Sequence, residues 1–289
     1  SGLRHYQADS HLYAWLEAKG IDFDLITDRE LHEEGVDSIR DYKALCTGSH
    51  PEYHTPQTLD ALQNYRDQGG RLVYLGGNGF YWKIALSPED PELIEIRRGE
   101  SGIRAWAAEP GEYYHSFDGS YGGLWRRNGR PPQLLAGVGF SAQGKFEGSY
   151  YRRTAESRAP DLAWMFEGIE DQEILGDFGF SGGGAAGFEL DRADVRLGTP
   201  EEVRVVASSE NHTSSFVLVP EEMLTHITNW PGEEEQQKLI RSDIVYFRTP
   251  SGGEVFSTGS ITFCGSLPWN DFDNNISRLL ENVIRRFLQ

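Results

Sequence analysis

Three strand-like segments with helical ones between them set what the first 77 residues can fold into. Asp9 and Ser10 are N-cap candidates ahead of Leu12, Trp15 and Leu16 at helical spacing, and Gly20 supplies a stop. IDFDLIT (21–27) alternates apolar and polar residues as a strand does, and Thr27-Asp28 then caps a short helix ending at Gly35. YKALCTG (42–48) is the next expected strand. Thr55 precedes Pro56 at the start of a further helix, which Gly69-Gly70 closes, and RLVYLGG (71–77) follows as a third strand. This rhythm is that of βαβ units, which build a parallel sheet with helices on both faces. A chain of 289 residues buries enough surface, roughly 75% of the unfolded total, to need no disulfide or metal merely to fold.

After residue 90 the texture changes. Residues 106–133 crowd glycines and aromatics together without a sustained period, as expected of an insertion or a long ordered loop. VRVVASS (203–209) restores the rhythm. IVYFRTP (244–250) and EVFSTGS (254–260) flank Ser251-Gly252-Gly253 as a hairpin, and Ile276, Leu279, Leu280, Val283, Ile284 and Phe287 form one face of a closing helix. We read residues 1–289 as one α/β domain with a large insertion at about 90–200. The chain begins with Ser-Gly and not Met, which leads us to expect a processed product or one domain of a longer chain.

Charge narrows the partners. Lys and Arg total 27 against 45 Asp and Glu, a formal net charge of −18, so neither a nucleic-acid backbone nor an anionic membrane surface is an expected partner. Two cysteines, Cys46 and Cys264, are too few for a disulfide framework or a structural zinc site. With no apolar leader or long apolar run, a cytoplasmic location is the expectation.

Four segments could carry chemistry. Thr47-Gly48-Ser49-His50-Pro51-Glu52-Tyr53-His54 follows an expected parallel strand, at the edge where open α/β sheets bind ligands. It gathers acid, base and oxygen or nitrogen donors; the plainer reading is a polar loop with an N-cap. Tyr74-Leu75-Gly76-Gly77-Asn78-Gly79-Phe80 resembles a nucleophile elbow, but Asn78 occupies the elbow and an amide is a poor nucleophile. Cys46, within a strand, reads mainly as a small buried hydrophobe. Ser181 to Gly187 lacks the Lys-Ser/Thr of a P-loop and reads as close backbone packing, while Glu210 and His212 follow a strand and could share a pocket or simply be solvated.

The words themselves carry a resemblance. SHPEY after LYAWLEAKGIDFDLITDREL, then GGRLVYLGGNGFYW, GGLWRRNGRPPQ, GGGAAGFELDR and the closing GEVFSTGSITFCGSL resemble the C-terminal region of N,N-dimethylformamidase large subunits, in order along nearly the whole chain. The resemblance implies a glutamine amidotransferase-like (flavodoxin-like) fold without the catalytic cysteine, which agrees with Asn78. It implies hydrolysis of a small linear amide to formate and amine, and a place behind a β-rich region with a small partner subunit and a homo-oligomer. It also implies iron(III) held by two tyrosinates and a carboxylate, for which Tyr53 and Tyr13 match the tyrosine positions. Where the family's glutamate is expected this sequence has Ser120; Asp118 is the candidate substitute, with Glu112 and His115 in reserve. The candidate catalytic residues are accordingly Asp118, Glu52, His50 and Glu210, and the metal set Tyr13, Tyr53 and Asp118. Two other readings stand beside this one: a binding domain that kept the fold and lost the site, and a hydrolase dependent on Cys46.

Overall fold

The structure is a computed structural model; it describes residues 4–90, 92–98, 109, 111–219 and 232–289. Its main sheet has eight strands. Seven run in the order β1 (Leu45–Cys46), β3 (Arg71–Tyr74), β11 (Glu254–Ser257), β10 (Asp243–Arg248), β8 (Arg204–Glu210), β6 (Gly139–Arg153) and β7 (Ala186–Arg192), and β9 (Val217–Leu218) pairs with β6. Only β1, β3 and β11 are mutually parallel; every other pairing in this sheet is antiparallel. A smaller sheet joins β2 (Tyr53–His54), β4 (Trp82–Leu86) and β5 (Ile94–Ile96). The fold is therefore mixed α/β, and the expected all-parallel sheet is limited to three strands.

Helices cover both faces, as expected, because successive strand side chains point to opposite sides. On β3, Val73 packs with Trp15 and Leu16 of helix α1 (Arg4–Ala18) and with the C-terminal helix Asn275–Phe287. Leu72 and Tyr74, one step along, pack on the other face with Leu31 of α2 (Asp28–Glu34) and Leu59 and Leu62 of α3 (Pro56–Asp67). Local chemistry starts these helices. Thr27 and Glu30 form a capping box on α2, Thr55 caps α3 ahead of Pro56, and Asn274 accepts from the Ser277 N–H at 2.8 Å. Among the described residues no helix is long and apolar enough to cross a membrane.

Two expectations differ from the structure. Residues 21–27 have a strand's alternation but lie outside both sheets; Phe23 instead stacks on Tyr13, ring centroids 6.1 Å apart. The strand read over 42–48 is reduced to Leu45–Cys46. Within the stretch read as an insertion, β6 and β7 pair antiparallel in the main sheet. The hairpin around Ser251-Gly252-Gly253 forms as β10 and β11. The glycines at 182–187 serve close backbone packing: a Cβ on Gly187 would meet the Glu147 carbonyl at 2.2 Å, and one on Gly184 the Ser149 carbonyl at 2.4 Å.

Candidate active site

β1 and β3 both end at the same edge of the sheet, and the loops that leave them are held against each other by glycines. A Cβ on Gly76 would meet the Ser49 carbonyl at 2.7 Å, and one on Gly77 the Glu189 carbonyl at 2.7 Å. Side chains at these positions would push the loops and β7 apart. Phe80 N–H donates to the Pro51 carbonyl at 2.7 Å, so the elbow loop and the 49–53 loop are stitched as well. Asn78 adopts a left-handed backbone, φ 52°, in the place of an elbow residue.

Four acid or base groups meet there. His50 Nε2 lies 3.1 Å from Glu189 Oε2 and 3.3 Å from Glu52 Oε2, and its Nδ1 lies 3.1 Å from His5 Nε2 on α1. Asn78 Nδ2 donates to Glu52 Oε1 at 3.2 Å. Beneath them Asp191, fully buried, accepts from the Asn78 N–H at 2.7 Å and from the Tyr74 hydroxyl at 2.8 Å, while that hydroxyl accepts from Gly79 N–H. Glu189 and Asp191 stand two residues apart on β7 and so share a face. His50 Nε2, Glu189 Oε2 and the Asn78 Oδ1 are buried without a hydrogen-bond partner among the described residues. The His50–Glu189 approach is thus an ion pair off the line of a good hydrogen bond, with acceptor capacity left over.

The electrostatics follow from burial. Burial pulls His50 down, but Glu189, Glu52 and Asp191 together outweigh it and hold the imidazole above its ordinary value. Burial raises Glu52, with the Glu189 charge adding to it and His50 and Arg98 opposing. Burial also pushes Asp191 up to about 8 against the bonds from Asn78 and Tyr74. Such a cluster holds and releases protons near neutrality, as acid–base catalysis requires.

The chain matches the family described as N,N-dimethylformamidase beta subunit-like, C-terminal, over residues 1–275. It is 42% identical over 282 residues to the N,N-dimethylformamidase beta subunit of Paracoccus aminophilus and 41% identical over 282 residues to that of an Alcaligenes species. Each match covers 98% of this chain. The chain belongs to the N,N-dimethylformamidase beta subunit-like family. It spans about 37% of the length of these curated relatives.

Of the sequence candidates for this dimethylformamidase-like chain, the structure brings His50 and Glu52 together. Tyr53 adjoins them: Arg98 Nη2 donates to its hydroxyl at 2.5 Å, and the same guanidinium lies 4.9 Å over the Trp82 ring. Burial, then the Glu52 charge, raises the Tyr53 phenol to about 12. Tyr13 lies two helical turns beyond His5 on α1, roughly 12 Å along the axis, facing Phe23. Asp118 is elsewhere. It accepts from Ser120 N–H at 2.8 Å and Ser120 Oγ at 2.7 Å, lies 3.6 Å from His115, and faces Lys83. Tyr53 pairs in register with Trp82, so Lys83 and Asp118 are on the opposite side of that small sheet. Glu112 pairs with Arg97 at 2.7 Å, and Glu210 with Arg152 at 2.7 Å on a half-exposed surface, while His212 meets Ser209 Oγ at 2.6 Å. Cys46, pushed up to about 12 by burial, is an inert thiol.

Sequence reasoning missed His5, Glu189 and Asp191. The alternation in Gly-Phe-Glu-Leu-Asp-Arg, with two acids on one face of a strand, was the available signal for the last two. Nothing local marks His5, whose partner is 45 residues away.

Tyr13 stacks on Phe23, Tyr53 accepts from Arg98, and Asp118 accepts from Ser120. Among the described residues no three His, Cys, Asp or Glu side chains form a metal-holding group.

Proposed function

We propose that this chain carries the active site of a hydrolase that cleaves a small linear amide, such as N,N-dimethylformamide, to formate and an amine. The observation that carries the reading is His50 held between Glu189 and Glu52 at the edge of the parallel strands, in a chain whose relatives are named for that amide. Glu189 Oε2, with no hydrogen-bond partner among the described residues, takes a proton from water as its oxygen attacks the carbonyl carbon. The Asn78 carboxamide, tied to Glu52, steadies that carboxyl against the loop. His50, whose imidazolium form its carboxylate neighbours favour, delivers a proton to the departing nitrogen, and the C–N bond breaks. Water and amide become formic acid and amine; the proton taken up by Glu189 returns to His50 and restores the site, and the formic acid gives its proton to the amine. No covalent enzyme intermediate is required, which suits an elbow that carries Asn78.

Iron(III) remains a proposal supported by the family resemblance and by Tyr53 beside Glu52; no step above runs through the ion. The parallel core β1–β3–β11 with its elbow supports a glutamine amidotransferase-like reading of the fold. The name of the relatives, beta subunit, supports a partner subunit, and a cytoplasmic location belongs to the same reading.

The test is formate release from N,N-dimethylformamide by the intact protein and by His50→Ala. A loss of about 10²–10⁴ in kcat is expected for the variant. A folded His50→Ala protein with full activity ends this assignment. The second reading, a binding domain that lost its chemistry, is favoured by Ser120 in place of the family's glutamate, and an intact protein that binds but never hydrolyses amides would establish it.

A further inference from the structure

A cavity of about 380 Å³ lies outside edge strand β1, on the side of the sheet edge that no strand covers. Its size falls in the range of small-ligand sites. Leu12 and Leu16 of α1, with Ile284 and Leu288 near the C-terminus, give it an apolar floor, and its inner end reaches Thr47 and Gly48 just before the His50 loop. Tyr13 and Phe23, stacked at an interplanar angle of 14°, line one wall. Tyr42 lines another and donates its hydroxyl to Asp24 at 2.6 Å.

The polar part of the lining has one sign. Asp22, Asp24, Glu30 and Glu34 all border the cavity, against a single basic residue, Lys43, whose ammonium donates to the Leu288 carbonyl at 2.6 Å. Glu30 and Glu34 lie one helical turn apart on α2 and so face the same way. Segment 21–27 brings Asp22 and Asp24 to the opening and leaves Leu25 and Ile26 partly in solvent. Apolar floor, aromatic wall and acidic rim together match one kind of ligand: an ammonium ion on a compact apolar body. Aromatic faces and carboxylates attract the cation, and the floor takes the body. A carboxylate of the same size meets four carboxylates against the single Lys43 ammonium and is repelled on balance.

We propose that this cavity binds a small organic ammonium ion. Amines are also what hydrolysis of an amide releases, and that link rests on the hydrolase reading, whereas the binding itself does not. The rim carboxylates are solvated, so their preference for charge is modest, about tenfold, and is screened by salt.

Calorimetric titration with 2-phenylethylammonium and with neutral 2-phenylethanol, which have the same body, tests the site. In low salt the cation is expected to bind about tenfold more tightly, and at about 1 M NaCl the two converge. Asp22→Asn with Glu34→Gln should reduce the preference while keeping the affinity for the alcohol, and Tyr13→Ala should weaken both ligands. Equal affinities in low salt, no binding of either ligand, or a Tyr13→Ala protein that binds both as before overturns the proposal. The salt comparison uses the unaltered protein, so misfolding of a variant does not rescue the idea. Tight cation binding by a protein inactive on amides would sink only the hydrolase reading.

Discussion

His50 and Glu189 meet at 3.1 Å although 139 positions separate them in sequence, one on the loop after β1 and the other on β7. The contact exists because Gly77 lets the elbow loop lie against the Glu189 backbone. Gly77→Ala should therefore separate the pair: its Cβ would overlap the Glu189 carbonyl, and backbone there cannot move aside cheaply. We expect a drop in melting temperature together with loss of amide hydrolysis. An active Gly77→Ala protein of unchanged stability would contradict the packing described.

Asp118 is expected to be dispensable for hydrolysis. Its carboxylate is held below its ordinary range: burial opposes this, but the bonds from Ser120 and the nearby His115 and Lys83 prevail. Asp118→Asn should leave kcat/KM within a few-fold. Iron content measured on the same variant addresses the metal proposal, and a fall in both iron and activity would place Asp118 in the machinery after all.

Cys46→Ala should likewise retain activity within a few-fold, because the proposed nucleophile is water and a thiol raised to about 12 is protonated at neutral pH. Iodoacetamide should label Cys46 slowly in the folded protein. Rapid labelling with parallel loss of activity would promote the thiol mechanism.

Stability should depend on pH through Asp191. Burial keeps it protonated to about pH 8 in the folded chain, against 3.8 for the ordinary carboxyl. The folded state thus binds the extra proton between those values, and this contribution to stability falls as pH rises from about 4 to about 8. Asp194 acts in the opposite sense. Burial raises it, but Arg196 and Arg192 bring it down to about 2, so its contribution is lost as pH falls from about 4 toward 2. Asp191→Asn should be less stable yet lose the decline between pH of about 5 and 8. Melting curves at those two pH values decide the matter, and an identical decline in parent and variant would refute the assignment.

How much of this was legible in the sequence depends on the range of the interaction. The caps at Thr27 and Thr55 act within three residues, and the apolar face of the C-terminal helix repeats every turn, so both could be read directly. The alternation in 21–27 was equally plain but pointed to the wrong structure, because Phe23 found an aromatic partner on α1 and the segment no neighbouring strand. In the site, His50 and Glu52 stood out because they are two residues apart. Glu189, Asp191 and His5 did not, since only the antiparallel half of the sheet and the packing of α1 bring them near. Long-range pairing has no local sequence signature.

Glu189 is the proposed base beside His50. The most direct measurement is the pH dependence of kcat for formate release by the parent and by Glu189→Gln, which keeps the shape and removes the charge. A fall in kcat of about 10²–10⁴ in the variant at every pH is expected, with circular dichroism unchanged. A Glu189→Gln protein with the parent's rate and the parent's pH profile would contradict it.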